Sequence, residues 1–425
     1  MKVTDIERIV VDVPFTPRQQ EITTQSVSTV YNWSILELCR VTTDTGHIGW
    51  GETVIHYTYG RVTDEGINRV LGANPAKLMN DDSLGAGLQM ALFDVVGQIL
   101  EVPVYELLGM KVRDDPPISW WSIDASPENW AAEAEEAVKH GYTSFKNKPR
   151  PWWDIVKQVD EISKVVPTDF KLDLDPNGSF RNDETAIPIM SKLIQYDNVA
   201  MFETPIPQED IPGNKKIRQA IDRPIAMHFG SPAYLTSVQN QVCDGYVIGG
   251  GKSTVMRQGL LSGEAEMPFW LQLVGNGLTT TWAAHLGAVL THASWPAITC
   301  VNLYSHHLLQ KPVEVNNGSQ KVPDAPGLGV AVNEDAVEKY RVSPEELRGF
   351  QQKNECYIHP KPEIIYTVVY PNGKRLNMAG QGLNYFNKDH VPAQAEGTRL
   401  EIWFNDGSKA WQNLHQRVQE NPILD

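Results

Sequence analysis

The stretches that decide the fold are "SFKNK" (144–148), "FKLDLD" (170–175), "VAMFE" (199–203) and "PIAMHF" (224–229). Each is a short run with the apolar content and alternation of a strand in a buried sheet. The segments between them, such as "DIVKQVDEISKVV" (154–166), carry apolar residues at the three- and four-residue spacing of amphipathic helices. One strand and one helix therefore recur every 25 to 28 residues, as the positions of Lys148, Asp175, Glu203 and His228 show.

The same alternation extends in both directions along the chain. Further extended runs are "ISWWSI" (118–123), "DGYVIG" (244–249), "PFWLQLV" (268–274) and "ITCVNLY" (298–304). Eight strands that alternate with helices predict an α/β fold, a parallel (β/α)8-type barrel over residues 118–320.

Two different patterns flank the predicted barrel. Residues 1–117 read as strands followed by helices, with an Asp44-Thr45-Gly46 hairpin turn, and predict an α+β N-terminal domain. Residues 346–425 contain Asn-Gly and Asp-Gly turns between extended runs and predict a β-rich C-terminal extension with two hairpins. Such hairpins need a partner surface, on this chain or on a second copy, so a homo-oligomer is expected.

Composition excludes several classes of partner. The 425 residues carry a formal net charge of −15, which argues against nucleic acid as a ligand. No window holds the ~18 uninterrupted apolar residues of a membrane span, and no membrane partner is expected. The four cysteines (Cys39, Cys243, Cys300 and Cys356) form no CxxC pair, which indicates reduced thiols and a cytoplasmic protein.

Lys146 and Lys148 raise the question of function. Side chains two apart on a strand point to the same face, so both ammonium groups would lie at the end of one barrel strand. Buried charges need partners, and the next strands supply Asp173, Asp175 and Glu203. One interpretation is an ion-pair network that closes the barrel. The other is a divalent metal ion held by Asp175 and Glu203, since carboxylates are the ligands that Mg²⁺ prefers.

Six motifs occur in an order that points to one family. They are "GWGET" (49–53), "MALFDVVGQILEVPVYELLG" (90–109), "FKNK" (145–148), "LDPNGSF" (174–180), "FETPIP" (202–207) and "PDAPGLGVAVNEDAVEKYRV" (323–342). Over about residues 1–342 the sequence resembles the enolase superfamily, in its mandelate racemase and muconate lactonizing branch. The resemblance implies that residues 1–117 cap the barrel and that residues 321–345 return to this capping domain.

The resemblance also implies a mechanism. Lys148 would be the general base that removes the proton α to the carboxylate of a small substrate, through an enediolate intermediate. Lys146 would lower the proton affinity of Lys148 and help to bind the carboxylate. Asp175 and Glu203 would hold Mg²⁺, with Mn²⁺ or another divalent ion as the alternative, and the ion would stabilise the enediolate.

Other polar residues are candidates for substrate binding. The resemblance places Asn177 near the substrate carboxylate, and it makes the polar run 16–30 and "HYTYG" (56–60, with His56) part of the cap over the barrel mouth. Arg150 suits a second carboxylate. Trp152 and Trp153 are interpreted either as site residues or as core residues between barrel and helix.

The sequence departs from the family pattern at three strands. Phe229 occupies the position of the third acidic ligand; a one-residue bulge could turn His228 toward a metal, although imidazole suits softer ions, or His228 could bond within the barrel. The sixth strand ends in glycines, and Gln272 stands where a histidine is common. His306 and His307 are either site residues or a solvated pair. A racemase with two opposed bases is therefore disfavoured.

The resulting hypothesis is a lyase that dehydrates an acid sugar, or an isomerase of the same superfamily such as a cycloisomerase, because both reactions need only one base. One alternative is a non-catalytic barrel that binds a small acid or serves as an assembly subunit, since part of the family site is missing. Another is a Schiff-base lyase with Lys148 as the nucleophile, in which Asp175 and Glu203 would have no clear role.

Overall fold

The computed structural model describes residues 1–57, 60–351, 361–387 and 394–425. Residues 58 and 59 of the predicted 56–60 cap segment and Cys356 lie outside the described residues. In the described part of the chain, no helix has the length and apolar content needed to cross a membrane. The described residues form three sheets, of three, seven and four strands.

The strands, in chain order, are β1 Val3–Asp12, β2 Ile35–Thr43, β3 Ile48–Val54, β4 Trp120–Ser122, β5 Ser144–Asn147, β6 Lys171–Leu174, β7 Val199–Glu203, β8 Ile225–His228, β9 Gly245–Ile248, β10 Phe269–Leu271, β11 Ile364–Val369, β12 Arg375–Met378, β13 Arg399–Phe404 and β14 Ile423–Leu424. The helices are α1 Pro17–Gln25, α2 Asp64–Val70, α3 Ala86–Leu100, α4 Val104–Leu108, α5 Pro127–Lys139, α6 Ile155–Ser163, α7 Asp183–Leu193, α8 Ile211–Ala220, α9 Tyr234–Asn240, α10 Lys252–Glu264, α11 Gly277–Val289, α12 Glu334–Tyr340, α13 Pro344–Gln351, α14 Leu383–Phe386 and α15 Lys409–Val418.

The N-terminal sheet is antiparallel, in the order β1-β2-β3, and α3 packs on one face. The hairpin between β2 and β3 contains the expected turn, with Gly46 at φ +82°. Gly49 and Gly51 of the "GWGET" motif let α3 approach closely. A Cβ at Gly49 would lie 2.2 Å from the Ala91 carbonyl oxygen, and one at Gly51 would lie 2.0 Å from the Gly87 carbonyl oxygen.

The barrel is a curled parallel sheet in the order β4-β5-β6-β7-β8-β9-β10, with helices between the strands. Residues 297–299 join its two edges. Ala297 pairs with Ile118 beside β4, and Ile298 pairs with Gln272 after β10. The predicted eighth strand, "ITCVNLY", is therefore wrong as a strand. It forms these bridges and a 3-10 turn at Val301–Leu303, because Cys300 takes a left-handed conformation (φ +61°) that ends the extended run.

After the barrel the chain returns to the N-terminal sheet. The N–H of Leu328 donates to Asp94 on α3 (2.8 Å), and that of Val342 donates to the Val10 carbonyl oxygen on β1 (2.9 Å). These contacts agree with a return segment in this part of the chain. The domain limits given above stay predictions.

The C-terminal sheet comprises β11 to β14, in the order β13-β11-β12-β14. β11 and β12 form the expected hairpin around Asn372-Gly373. The second predicted hairpin, at Asp406-Gly407, is wrong. Ser408 accepts a hydrogen bond from the N–H of Trp411 (3.1 Å) and so caps the start of α15, while β13 pairs with β11 instead.

The C-terminal sheet packs against the loop that follows β5. Trp152 is buried in a cluster with Tyr366, Val368 and Met378 of this sheet, and its ring meets that of Phe386 edge-on at 5.3 Å. The indole N–H of Trp152 donates to Asp124 beyond β4 (2.8 Å). Trp152 is thus a core residue, and the C-terminal sheet covers one side of the barrel mouth, the end at which the strands β4–β10 terminate.

Candidate functional site

Four neighbouring strands bring the candidate residues together. Lys146 lies on β5 and Lys148 follows it directly; Asp175 follows β6, Glu203 ends β7 and His228 ends β8. Since the strands are parallel and adjacent, these side chains meet at the mouth. The two lysines therefore face the acidic side chains that the sequence predicts as their partners.

Lys148 lies at the outer edge of the cluster. Its ammonium group pairs with Asp175, and its Nζ lies 3.5 Å from Asn177 Oδ1. The side chain is 13% exposed, whereas Asp175 is fully buried. The backbone N–H of Asn177 donates to the other oxygen of Asp175 (3.0 Å), so Asp175 and Asn177 hold one another in place.

Lys146 is completely enclosed. It forms an ion pair with Glu203, lies 3.5 Å from Asp175 Oδ2, and donates a hydrogen bond to Gln272 Oε1 at 2.9 Å. Its Nζ also sits 4.9 Å from the centre of the Trp270 ring. Burial acts to lower the pKa of Lys146, but the carboxylates of Glu203 and Asp175 outweigh it and raise that pKa.

His228 reaches Glu203 without a bulge. The pairing of β8 with β9 is continuous over Ala226–His228, so the proposed bulge is absent there. The half-exposed imidazole places Nε2 3.0 Å from Glu203 Oε1. Burial acts to raise the pKa of Glu203, but Lys146 and His228 hold it well below its usual value. Glu203 therefore stays ionised.

Asp173 belongs to the cluster although it was not among the proposed ligands. It pairs with Lys146 in the register of β5 and β6, and its Oδ1 is buried without a hydrogen-bond partner among the described residues. Burial raises its pKa, an effect that Lys146 opposes. The sequence already predicts this position, because Asp173 lies two residues before Asp175 on the same strand face.

Arg150 lies behind the mouth rather than in it. The buried guanidinium donates to the backbone oxygens of Pro149 (2.9 Å) and Asp175 (3.3 Å) and to Asn177 Oδ1 (2.8 Å). Burial lowers its pKa, and nearby carboxylates, Asp124 first, oppose this. These contacts orient Asn177.

The N-terminal domain reaches the site through Tyr57. Its hydroxyl accepts a hydrogen bond from Gln272 Nε2 (3.0 Å), and its ring meets Trp33 edge-on at 4.8 Å. His56 lies beside it in the same turn, half-buried. Its role in substrate binding stays a prediction. The sequence pattern flagged Gln272 only as a departure, whereas the structure makes it the link between Lys146 and the cap.

A cavity of about 350 Å³ adjoins the cluster. It lies between β3 and α3 of the N-terminal domain and the ends of β8, β9 and β10, and it meets the cluster at His228 and Gln272. The volume is within the range of small-molecule sites. His306 and His307 lie elsewhere: they accept hydrogen bonds from the N–H groups of Leu308 and Val313 and so shape their own loop.

Two side chains are suited to a divalent cation. Asp175 and Glu203 are carboxylates at the ends of adjacent strands, and each forms an ion pair with a lysine. Across the ranges that the structure describes, no three histidine, cysteine or acidic side chains are grouped as a ready metal site. His228, which contacts Glu203, is the nearest further donor.

Comparisons with known proteins agree on one family. Residues 129–336 match a family described as enolase C-terminal domain-like. The chain is 25% identical over 344 residues to an N-succinyl-L-Arg/Lys racemase of Bacillus cereus, which covers 73% of this chain and 91% of that protein. It is also 25% identical over 387 residues to a D-xylonate dehydratase of Haloferax volcanii, covering 78% of this chain and 91% of that protein.

A solved structure gives the same fold. The crystal structure of 2-chloromuconate cycloisomerase from Rhodococcus opacus superposes with a TM-score of 0.67 at 20% identity, covering 81% of this chain and 100% of that one. The similar proteins thus include a racemase, a dehydratase and a cycloisomerase, and they do not select one of these reactions for this chain.

Proposed function

Because the chain belongs to the enolase superfamily, in its mandelate racemase and muconate lactonizing branch, we propose that it removes the proton α to the carboxylate of a small acid and eliminates water from it. An acid sugar is the proposed substrate class. The observation that carries this proposal is the placement of Lys148, partly exposed at the mouth between Asp175 and Asn177. One of the similar proteins, the D-xylonate dehydratase, acts on a substrate of this class.

A divalent ion would be held by Asp175 and Glu203, with His228 as a further ligand. The donor set fits because both carboxylates are fully buried and already balanced by positive charge: Glu203 pairs with Lys146, and Asp175 pairs with both Lys148 and Lys146. Mg²⁺ suits the carboxylates, and Mn²⁺ also suits the imidazole. When bound, the ion would supply positive charge beside the substrate carboxylate.

The remaining chemistry falls to the chain's own residues. Asn177, oriented by Arg150, would position the substrate carboxylate. Lys148, in its neutral form, would take the α proton, and the charge of Lys146 would stabilise the enediolate. Lys148 would then return that proton to the hydroxyl group on the β carbon, which leaves as water. One base thus serves both steps.

The neighbouring strand ends favour one base over two. After β9 comes Gly249–Gly251, and after β10 comes Gln272, whose amide is already bonded to Lys146 and Tyr57. None of these side chains can exchange a proton at neutral pH. This supports elimination over racemisation by two opposed bases.

The test uses a panel of acid sugars with MgCl₂ or MnCl₂. We expect a keto-acid product from the wild-type protein, and exchange of the α proton in D₂O measured by NMR. Lys148→Met should lower both rates by about 10²-fold or more. The matched control is Lys171→Met, an exposed lysine at the start of β6, which should retain activity. Equal exchange by the Lys148→Met protein would refute the assignment of the base.

A second candidate is a non-catalytic barrel that binds a small acid. It is favoured by the fact that Asp175 and Glu203 are already paired with lysines in a closed network. Calorimetric titration with Mg²⁺ and Mn²⁺ separates the two candidates. The enzyme should bind the ion, with Asp175→Asn and Glu203→Gln reducing affinity. No heat of binding at millimolar metal would leave an ion-pair network and the second candidate.

A further inference from the structure

The cavity beside the cluster is poor in positive charge. Its walls are formed by apolar side chains such as Met90, Phe229 and Trp282 and by uncharged polar ones such as Gln272. Among the described residues that line it there is no lysine or arginine, and the acidic and basic side chains are Glu52 and His228. The imidazole Nε2 of His228 faces Glu203, 3.0 Å from its Oε1.

Glu52 adds an acidic group to this wall. It is fully buried at β3, and its Oε1 accepts hydrogen bonds from the N–H groups of Asn276 (2.5 Å) and Thr279 (2.9 Å) at the start of α11. Its Oε2 is buried with no hydrogen-bond partner in the described part of the chain. Glu52 is therefore held in the cavity wall by the amides at the start of α11.

Among the described residues of the site, the lysine and arginine side chains lie at the other end from the cavity. Lys146, Lys148 and Arg150 pair with Glu203, Asp175 and Asn177, and Lys146 is separated from the cavity by its partners Gln272 and Glu203. A ligand can therefore place one carboxylate near positive charge. A second carboxylate in the cavity would lose hydration without a cation to pair with, which is costly.

We propose that the site selects monocarboxylates whose other end is uncharged, so that aldonic acids bind and the corresponding aldaric acids, with a carboxylate at both ends, are rejected. This inference rests on the proposed function, because it assumes that the substrate carboxylate lies at the lysines. The acidic side chain of Glu52 in the cavity wall would further disfavour a distal carboxylate, because like charges repel.

The experiment measures binding of matched acids to the full chain by calorimetry with MgCl₂ present. The probes are gluconate with glucarate, galactonate with galactarate, and xylonate with xylarate, each pair differing only at the terminal carbon. We expect at least one aldonate to bind about tenfold or more tightly than its aldarate. Equal or tighter binding of the aldarates, or binding of no acid in the panel, overturns the inference.

Two variants test the cause of the selectivity. Glu52→Gln keeps an acceptor for the α11 amides but removes the acid, and it should narrow the aldonate-to-aldarate ratio by about threefold or more. Gln258→Lys adds a cation at the cavity wall and should raise aldarate affinity by a similar factor, while Gln195→Lys, an exposed position on another surface, should not. An unchanged ratio in both cavity variants contradicts the proposal. Failure of the proposed function is seen separately, as a bound acid whose α proton does not exchange.

Discussion

Lys146 and Lys148 are two residues apart and have different surroundings. Lys146 is enclosed between Glu203, Gln272 and the Trp270 ring, whereas Lys148 is partly exposed. Lys146→Met would leave Glu203 buried without its ammonium partner and should cost about 3–5 kcal/mol of unfolding free energy. Lys148→Met should cost about 1–2 kcal/mol, because Asp175 keeps Lys146 and the N–H of Asn177 nearby. Urea unfolding measures both, and equal losses would contradict the difference in burial.

Asp94 on α3 makes the stability of the folded protein depend on pH. Its two oxygens accept hydrogen bonds from the N–H groups of Trp50 (2.8 Å) and Leu328 (2.8 Å), yet burial raises its pKa to about 6. Because the folded pKa exceeds that of the unfolded chain, the stabilisation is full below about pH 4 and is lost as the pH rises through about 6. Asp94→Asn lacks this titration.

The measurement compares unfolding of the wild type and Asp94→Asn at pH 4.5, 5.5 and 7. The variant should be destabilised at each pH, and the gap should shrink toward pH 7 by on the order of 1–3 kcal/mol. Asp64→Asn, which alters an exposed ion pair with Arg8, should show no such trend. A gap that widens with pH would contradict the sign of the shift.

Among the helices and strands, the sequence predicts best those whose conformation follows from the local pattern of apolar and polar side chains. Strands β5 to β8 were predictable because buried parallel strands are short apolar runs and because an ionisable residue ends each of them or follows it directly. The bridge at residues 297–299 was not, since the left-handed Cys300 leaves no mark in the apolar pattern. Helix α15 follows an Asp-Gly pair that also occurs in hairpins, and Ser408 was the signal that could have identified it.

The site was predictable to a similar degree. The pairing of lysines with acids followed from strand adjacency, and the structure places Lys146, Lys148, Asp175, Glu203 and His228 together. The link from Lys146 through Gln272 to Tyr57 spans residues far apart in the chain. No local pattern carries such a contact, because it depends on how the N-terminal domain meets the barrel.

Trp152 holds the loop after β5 in place against the C-terminal sheet. Trp152→Phe keeps a ring in the cluster but removes the donor to Asp124, a buried carboxylate, and should cost about 1–3 kcal/mol. Trp403→Phe is the control, because that indole is partly exposed and donates to the exposed Asp406; it should change stability by about 0.5 kcal/mol or less. Urea unfolding of both variants checks this, and equal effects would contradict the role assigned to Trp152.

At the scale of the whole molecule, the C-terminal sheet packs against both the barrel and the N-terminal domain. It covers Trp152 after the barrel strand and Val27 of the N-terminal domain. Deletion of 361–425 would expose these apolar residues and should lower solubility or produce larger oligomers in light scattering. A soluble product with the same number of subunits per particle and the same stability as the full chain would show that the sheet is dispensable.

Ser26, next to the end of α1, joins all three parts of the chain. Its carbonyl oxygen accepts hydrogen bonds from Tyr366 (3.1 Å) and Lys361, and its hydroxyl donates to Asp124 (2.6 Å), the partner of Trp152. The consequence is kinetic. Moving the N-terminal domain away from both the barrel and the C-terminal sheet would break all of these bonds, so we expect ligands to reach the site through brief local openings of the mouth. Amide hydrogen exchange near Ser26 should accordingly be as slow as in the barrel strands, even while ligands turn over.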